Sequence, residues 1–127
     1  MWTADYIGWP FAEGGRSRAG IDCLGLYLLL NRERLGRTLP DLACTRAQAV
    51  RRRLIDAERE RWRAVDPARI REGDLILMQA AGHLAHVGYA VDAVWMLHIE
   101  DDLGSRLARH AEHPIASRIE GIYRYDA

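Results

Sequence analysis

Three residues have types and spacing that could do chemistry: one cysteine, Cys23, and two histidines, His86 and His98. Cys23 follows Asp22 at the start of a leucine-rich run. If that run is a helix, its first N–H groups and the positive end of its dipole point at the sulfur. The dipole alone supplies ~0.3–1 kcal/mol, less than one pKa unit. An imidazolium partner is needed before the thiolate becomes the major form near neutral pH. His86 opens the apolar stretch His86-Val87-Gly88-Tyr89-Ala90-Val91, and His98 lies near the end of the next one. A hairpin turning at Asp92-Ala93 would bring the two histidines close to opposite one another. The chemistry expected of the three is nucleophilic, with Cys23 as nucleophile, His86 as base and His98 as orienting group. It requires the sulfur to sit beside an imidazole in a groove open to solvent. Water or an amine could resolve the acyl-enzyme equally well. An inert buried thiol and structural histidines are the plainer alternative.

Metal binding competes for the same histidines. His83 and His86 are three apart, as are His110 and His113. A zinc ion needs three or four ligands at ~2.0–2.3 Å. On a strand, positions three apart face opposite sides, so His83 and His86 make a poor pair. His110 and His113 fall in a polar segment and are expected at the surface. No metal and no cofactor is therefore expected. Cys44 follows the Pro40-Asp41 turn without a nearby histidine and reads as structural.

These residues must be positioned by the elements around them. Residues 8–20 are rich in glycine and turns, a lead-in that lets a substrate backbone come close. The spacing then predicts a largely buried helix over 22–35, with Asp22 as N-cap and Gly36 as C-cap. Thr45 and Gln48 have capping-box spacing, which predicts a second helix running to about Arg63. That helix is rich in arginine, and its charges read as a solvated face. From Gly73-Asp74 onward the pattern changes to strands: Leu75–Met78, Leu84–Val91, Val94–Ile99, and one or two within Ile115–Tyr125. Helices followed by a run of strands predict an α+β fold, with the helices on one side of an antiparallel sheet.

Composition bounds the reading. The chain has 127 residues, 49% of them hydrophobic, which suits a single domain over 1–127 with one core. Lys plus Arg is 18 and Asp plus Glu is 18, so bulk charge does not support nucleic-acid binding. All the basic residues are arginine. No apolar run approaches ~20 residues, so no membrane span is expected. The N-terminal residues lack the basic-then-apolar pattern of a secretory signal, so synthesis without a signal peptide, in the cytoplasm, is expected. Two cysteines in such a chain are expected as thiols rather than as a disulfide.

Four blocks in this order resemble the NlpC family of papain-like cysteine peptidases that cut bacterial cell-wall peptides. The first runs from Gly8-Trp9-Pro10-Phe11 through Gly14-Gly15 to Gly20-Ile21-Asp22-Cys23-Leu24-Gly25-Leu26. The others are Gly73-Asp74-Leu75-Ile76, His86-Val87-Gly88-Tyr89 and Leu97-His98, and Ile119–Tyr125 is similar to the family's closing strand. The resemblance implies a papain-like α+β fold and a Cys23-His86-His98 site. It implies hydrolysis of the amide between γ-D-glutamate and a diamino acid in peptidoglycan stem peptides. Phe11, Asp22 and Leu24 then become the candidate substrate-contacting residues around the nucleophile. Arg16 and Arg18 are either contacts for substrate carboxylates or solvated loop charges. Two departures stand out. Leu24 occupies a position where the family usually has serine, and Phe11 one where it often has tyrosine. Loss of a single oxyanion donor can cost ~2.7–4 kcal/mol. These features resemble single-domain members of phage tails and related particles. Tail proteins are thus the expected partners, and a catalytically weak structural or assembly role is the alternative.

Overall fold

The structure is a computed structural model that describes residues 1–41, 61–79 and 85–126. One helix, α1 (Cys23–Leu35), lies against a six-stranded antiparallel sheet. A small hairpin, β1 (Arg16–Ser17) and β2 (Gly20–Ile21), precedes the helix. The large sheet contains β3 (Trp62–Ala64), β4 (Leu75–Gln79), β5 (Ala85–Ala90), β6 (Trp95–His98), β7 (Arg106–Arg109) and β8 (Ile119–Tyr125). Their order across it is β3-β8-β4-β5-β6-β7. Single 3-10 turns occur at Trp2–Tyr6, Pro67–Arg69 and Ala116–Arg118.

The helix begins and ends for the reasons legible in its sequence. An Oδ1 of Asp22 accepts a hydrogen bond from the Gly25 N–H at 2.8 Å, satisfying one of the donors orphaned at a helix start. Gly36 closes the helix at φ 65°, where its N–H reaches the Arg32 carbonyl. Cys23 through Asn31 are buried, while Arg32 to Leu35 face solvent. Leu24, Leu26, Tyr27 and Leu30 pack against Leu75, Leu77, Val87, Tyr89 and Leu97 of the sheet. The sheet's other face is also covered. Among the described residues, Ile76, Met78, Ala90, Met96 and Ile122 form a second cluster there, with Val65, Ile70, Ala108, Ile115 and Ile119 packed against it.

Hairpin geometry follows local chemistry. The Asp92 carboxylate accepts from the N–H groups of Val94 and Trp95, both at 2.8 Å, and so folds the β5–β6 turn. The predicted strands at 75–78, 84–91 and 94–99 appear as β4, β5 and β6, and within 115–125 one strand, β8, runs over Ile119–Tyr125. The second predicted helix, together with Cys44 and His83, lies outside the described residues. Its expected end does not: Trp62 and Arg63 are in β3, paired with β8. Trp62 is drawn there by its ring contact with Tyr125, at 5.1 Å between centroids. Strand β7 was not expected, because an edge strand with arginine at both ends gives little hydrophobic alternation. No helix of the described residues is long and apolar enough to cross a membrane.

Asp22 should matter more to stability than an ordinary cap, because Gly14 N–H and Arg16 also donate to its carboxylate. Asp22→Ala is expected to lower unfolding free energy by about 2 kcal/mol, at the upper end for a lost cap. Urea denaturation followed by circular dichroism checks this.

Candidate active site

Cys23 is the first residue of α1, and its sulfur is a thiol rather than half of a disulfide. Five observations fix its surroundings. Asp22, directly before it, is buried and holds three donors: Gly25 N–H, Gly14 N–H and Arg16 Nη1, each at 2.8 Å. Arg16 also bridges to Asp41 at 2.8 Å, so it is committed to this network and does not stand as a solvated charge. Gly15 and Gly25 allow the lead-in loop to lie directly on the helix start. A Cβ at Gly25 would come 2.4 Å from the Gly15 carbonyl oxygen. Leu24 is 1% exposed and packs in the core, so its side chain has no surface to offer a substrate. Phe11 is half-buried, bridges Ile21 through its backbone and packs against the same core.

The histidines meet. In β5–β6 pairing, Tyr89 faces Leu97 and Ala90 faces Met96. Continued, that register sets Gly88 opposite His98 and His86 one diagonal step away, within reach of a long side chain. His86 Nε2 and His98 Nδ1 are 2.9 Å apart. Both rings are buried, at 0% and 2% exposure. Gly88 makes room for them: a Cβ there would meet Met96 Sδ at 2.8 Å and lie 3.7 Å from His98 Cβ. Strand alternation sends Val87 and Tyr89 toward α1 and His86 to the side of Met78 and Met96.

Helix and strand run the same way. Tyr27 packs on Tyr89 at 5.9 Å between ring centroids, and Gly73, bonded to the Ala90 carbonyl, abuts Leu35. The end of α1 therefore lies over the end of β5. Cys23, four residues before Tyr27 and so ~6 Å along the axis, lies toward the starting end of β5, whose second residue is His86. Cys23 as a residue is 2% exposed. The solvent-open groove expected from the sequence is thus replaced by a nearly covered thiol.

Charged groups surround the far side of His98. Glu100 and Asp101 follow β6, Arg106 lies opposite His98 on β7, and Arg118 precedes β8. Arg118 forks onto the Glu100 carboxylate and donates Nε to the Gln79 carbonyl at 2.7 Å. Burial, and then the Arg106 charge, push the His98 pKa down to about 4. Glu100 and Asp101 act in the opposite direction and are outweighed. A carboxylate oxygen of Glu100 and one ring nitrogen of each histidine lie within 4.8 Å of one another. Glu100 was missed in the sequence, where Glu100-Asp101-Asp102 reads as an ordinary polar turn.

His113 is exposed as expected, but His110 is not a surface residue. It is 4% exposed, with Nε2 3.0 Å from the Asp92 carbonyl oxygen, because the backbone at the end of β7 still pairs with Val94.

The NlpC/P60 family model matches residues 8–124. The murein DD-endopeptidase MepS/murein LD-carboxypeptidase of Escherichia coli K12 is 29% identical over 101 residues, covering 80% of this chain and 47% of that protein. The chain therefore spans about half the length of that relative. Among solved structures, an NLP/P60 family lipoprotein-like protein of Staphylococcus aureus Mu50 superposes with a TM-score of 0.69 at 19% identity, over 98% of this chain and 39% of that one. The NlpC/p60 domain of the peptidoglycan hydrolase SagA gives 0.64 at 19% identity, over 96% of this chain and 92% of that one.

The low proton affinity of His98 has a consequence for stability. The unfolded chain binds a proton at this residue near pH 6.5, whereas the folded chain binds it only near 4. Stability from this group is therefore complete above the unfolded value and falls as pH drops from about 6.5 to about 4. Urea midpoints between pH 7.5 and 4 should show this decline, and His98→Gln should flatten it. The family-model match over residues 8–124, with structural likeness over almost the whole chain, establishes that this protein belongs to the NlpC/P60 family.

Proposed function

We propose that this protein is a cysteine peptidase acting on peptidoglycan stem peptides, cleaving the amide between γ-D-glutamate and the diamino acid. The observation that carries the reading is the buried His86–His98 ring pair, 2.9 Å apart, at the end of β5 toward which Cys23 lies. His86 Nε2 is engaged by His98, and the reading assigns its other ring nitrogen, Nδ1, to the Cys23 thiol. Cys23 gives its proton to His86, and the thiolate attacks the carbonyl carbon. The tetrahedral oxyanion has the Cys23 N–H beside it at the helix start. His86 passes the proton to the leaving amine, and the thioester forms. His86 then takes a proton from water, hydroxide adds to the thioester, and the proton returns to sulfur as the acid leaves. His98 holds the His86 ring in one orientation throughout. The family and the named activity of the murein endopeptidase relative support the substrate class. The same proposal extends to a place in a phage tail or tail-like particle, resting on the sequence resemblance to single-domain members.

One observation favours a second reading, a structural or assembly protein with weak or no turnover. Cys23 is a buried residue, 2% exposed, and catalysis requires a carbonyl carbon to reach its sulfur. Phe11, which lacks a hydroxyl, points the same way.

Incubation with muropeptides and mass spectrometry of the products distinguishes the two. The parent should release fragments cut after γ-D-glutamate. Cys23→Ala and His86→Ala should each lower the rate by at least about a thousandfold while the fold persists. Equal rates for the parent and Cys23→Ala would refute the nucleophile assignment. Iodoacetamide should also alkylate Cys23 faster than Cys44 well below pH 8.

A further inference from the structure

We infer that Glu100 is a positioning residue of this site, a carboxylate that supports the positive charge formed on His86 by acting across His98. The inference rests on the Cys23–His86 assignment above and adds a fourth group to it.

The geometry is specific. A Glu100 oxygen lies within 4.8 Å of a ring nitrogen of each histidine. Its side chain is 16% exposed, so solvent screens it little. It is held in place rather than loose: Arg118 grips both its oxygens and is itself tied to β4 through the Gln79 carbonyl. Arg106 Nη2 stands 4.0 Å from the other side. His98 Nε2 is buried and finds no hydrogen-bond partner among the described residues.

Proton placement explains the need. When His86 becomes an imidazolium, its Nε2–H donates to His98 Nδ1. His98 must then be the neutral tautomer with its own proton on Nε2, aimed away from His86. A neutral imidazole gives the imidazolium no full opposite charge. The groups facing His98 are His86 from β5, Arg106 from β7, Glu100 and Asp101 after β6, and Arg118 before β8. Two arginines disfavour a cation there. Glu100 is the half-buried acid of the set, whereas Asp101 is exposed. Removing its charge leaves only the exposed Asp101, 3.4 Å from Arg106 Nη1, to offset Arg106 and Arg118.

The test measures muropeptide cleavage and Cys23 alkylation by iodoacetamide against pH, in the parent, Glu100→Gln, Arg118→Gln and Glu100→Asp. An opposite charge at this range shifts an ionisation by about one to three units. Glu100→Gln is therefore expected to move the alkaline limb of kcat down by about one unit, lower kcat about tenfold near neutrality and leave KM nearly unchanged. Cys23 alkylation at pH 6.5 should slow by a similar factor. Arg118→Gln should move the limb the other way, and Glu100→Asp should restore the parent's limb. Opposite shifts from the two partners of one ion pair are not what a merely structural pair would give. If Glu100→Gln keeps the parent's limb and alkylation rate, the inference is overturned. If it loses its circular dichroism signal, the direction of the Arg118→Gln shift decides. Cys23→Ala separates the two levels. If it remains active, the nucleophile assignment fails; if it is inactive while Glu100→Gln is unchanged, only the role of Glu100 fails.

Discussion

The carboxylate of Asp22 is the constraint on which the rest of the site depends. It is buried, and a buried carboxylate survives only when its oxygens are satisfied. Three donors do so, and each comes from a different piece of structure: the first turn of α1, the glycine loop at Gly14 and the Arg16 guanidinium. One residue thereby fixes where the helix starts, how the lead-in loop returns to it and which residue stands first on the helix. That residue is Cys23. The loop lies so close that the Gly15 carbonyl occupies the space a side chain at position 25 would need. Asp22 thus belongs to the frame that holds the sulfur, and its charge is already committed to that frame.

Sheet register is the second constraint. Side chains alternate along a strand, so a slip of one residue would move either histidine to the other face. The Asp92 turn sets the β5–β6 register, and Gly88 leaves the space between the strands that the rings occupy. The outcome is a diagonal pair, both members buried, in which burial and the nearby arginine favour a neutral His98. Covering the outer face with Ile115, Ile119 and Val65 keeps water away from the methionines next to the rings. It also accounts for His110, which ends buried although its sequence neighbours are polar.

What was legible in the sequence follows from how local the controlling interactions are. Helix α1 has an acid at one end, a glycine at the other and leucines between, and all three signals act within the segment itself. The β5–β6 hairpin is equally local, because Asp92 bonds the turn two and three residues on. Strands β3 and β7 were not legible, since each exists through a partner distant in sequence: β3 pairs with the C-terminal strand, and β7 is an edge strand with arginines at its ends. The site divides in the same way. The meeting of His86 and His98 was visible by type and spacing. Glu100 was not, because its meaning comes from Arg118, eighteen positions later. The covering of the sulfur was also beyond reach, since burial is a property of the assembled core.

That covering changes how the chemistry must be weighed. A thiolate and an imidazolium formed in a closed site lose hydration, and the loss can exceed their mutual attraction unless other charges and dipoles compensate. The structure supplies such groups at both ends. The helix N-terminus and its N–H groups lie at the sulfur, and a gripped carboxylate lies beyond the second ring. These dipoles and charges are already oriented, so little reorganisation accompanies proton transfer. Burial first, and then the two arginines, set a limit on the other side: they keep His98 neutral, so in the proposed mechanism the positive charge stays on His86. A second carboxylate in place of His98 would hold that proton more tightly and make His86 a weaker acid. A neutral histidine with a carboxylate one step further out gives a softer grip, which suits a ring that must both take and return a proton in each cycle.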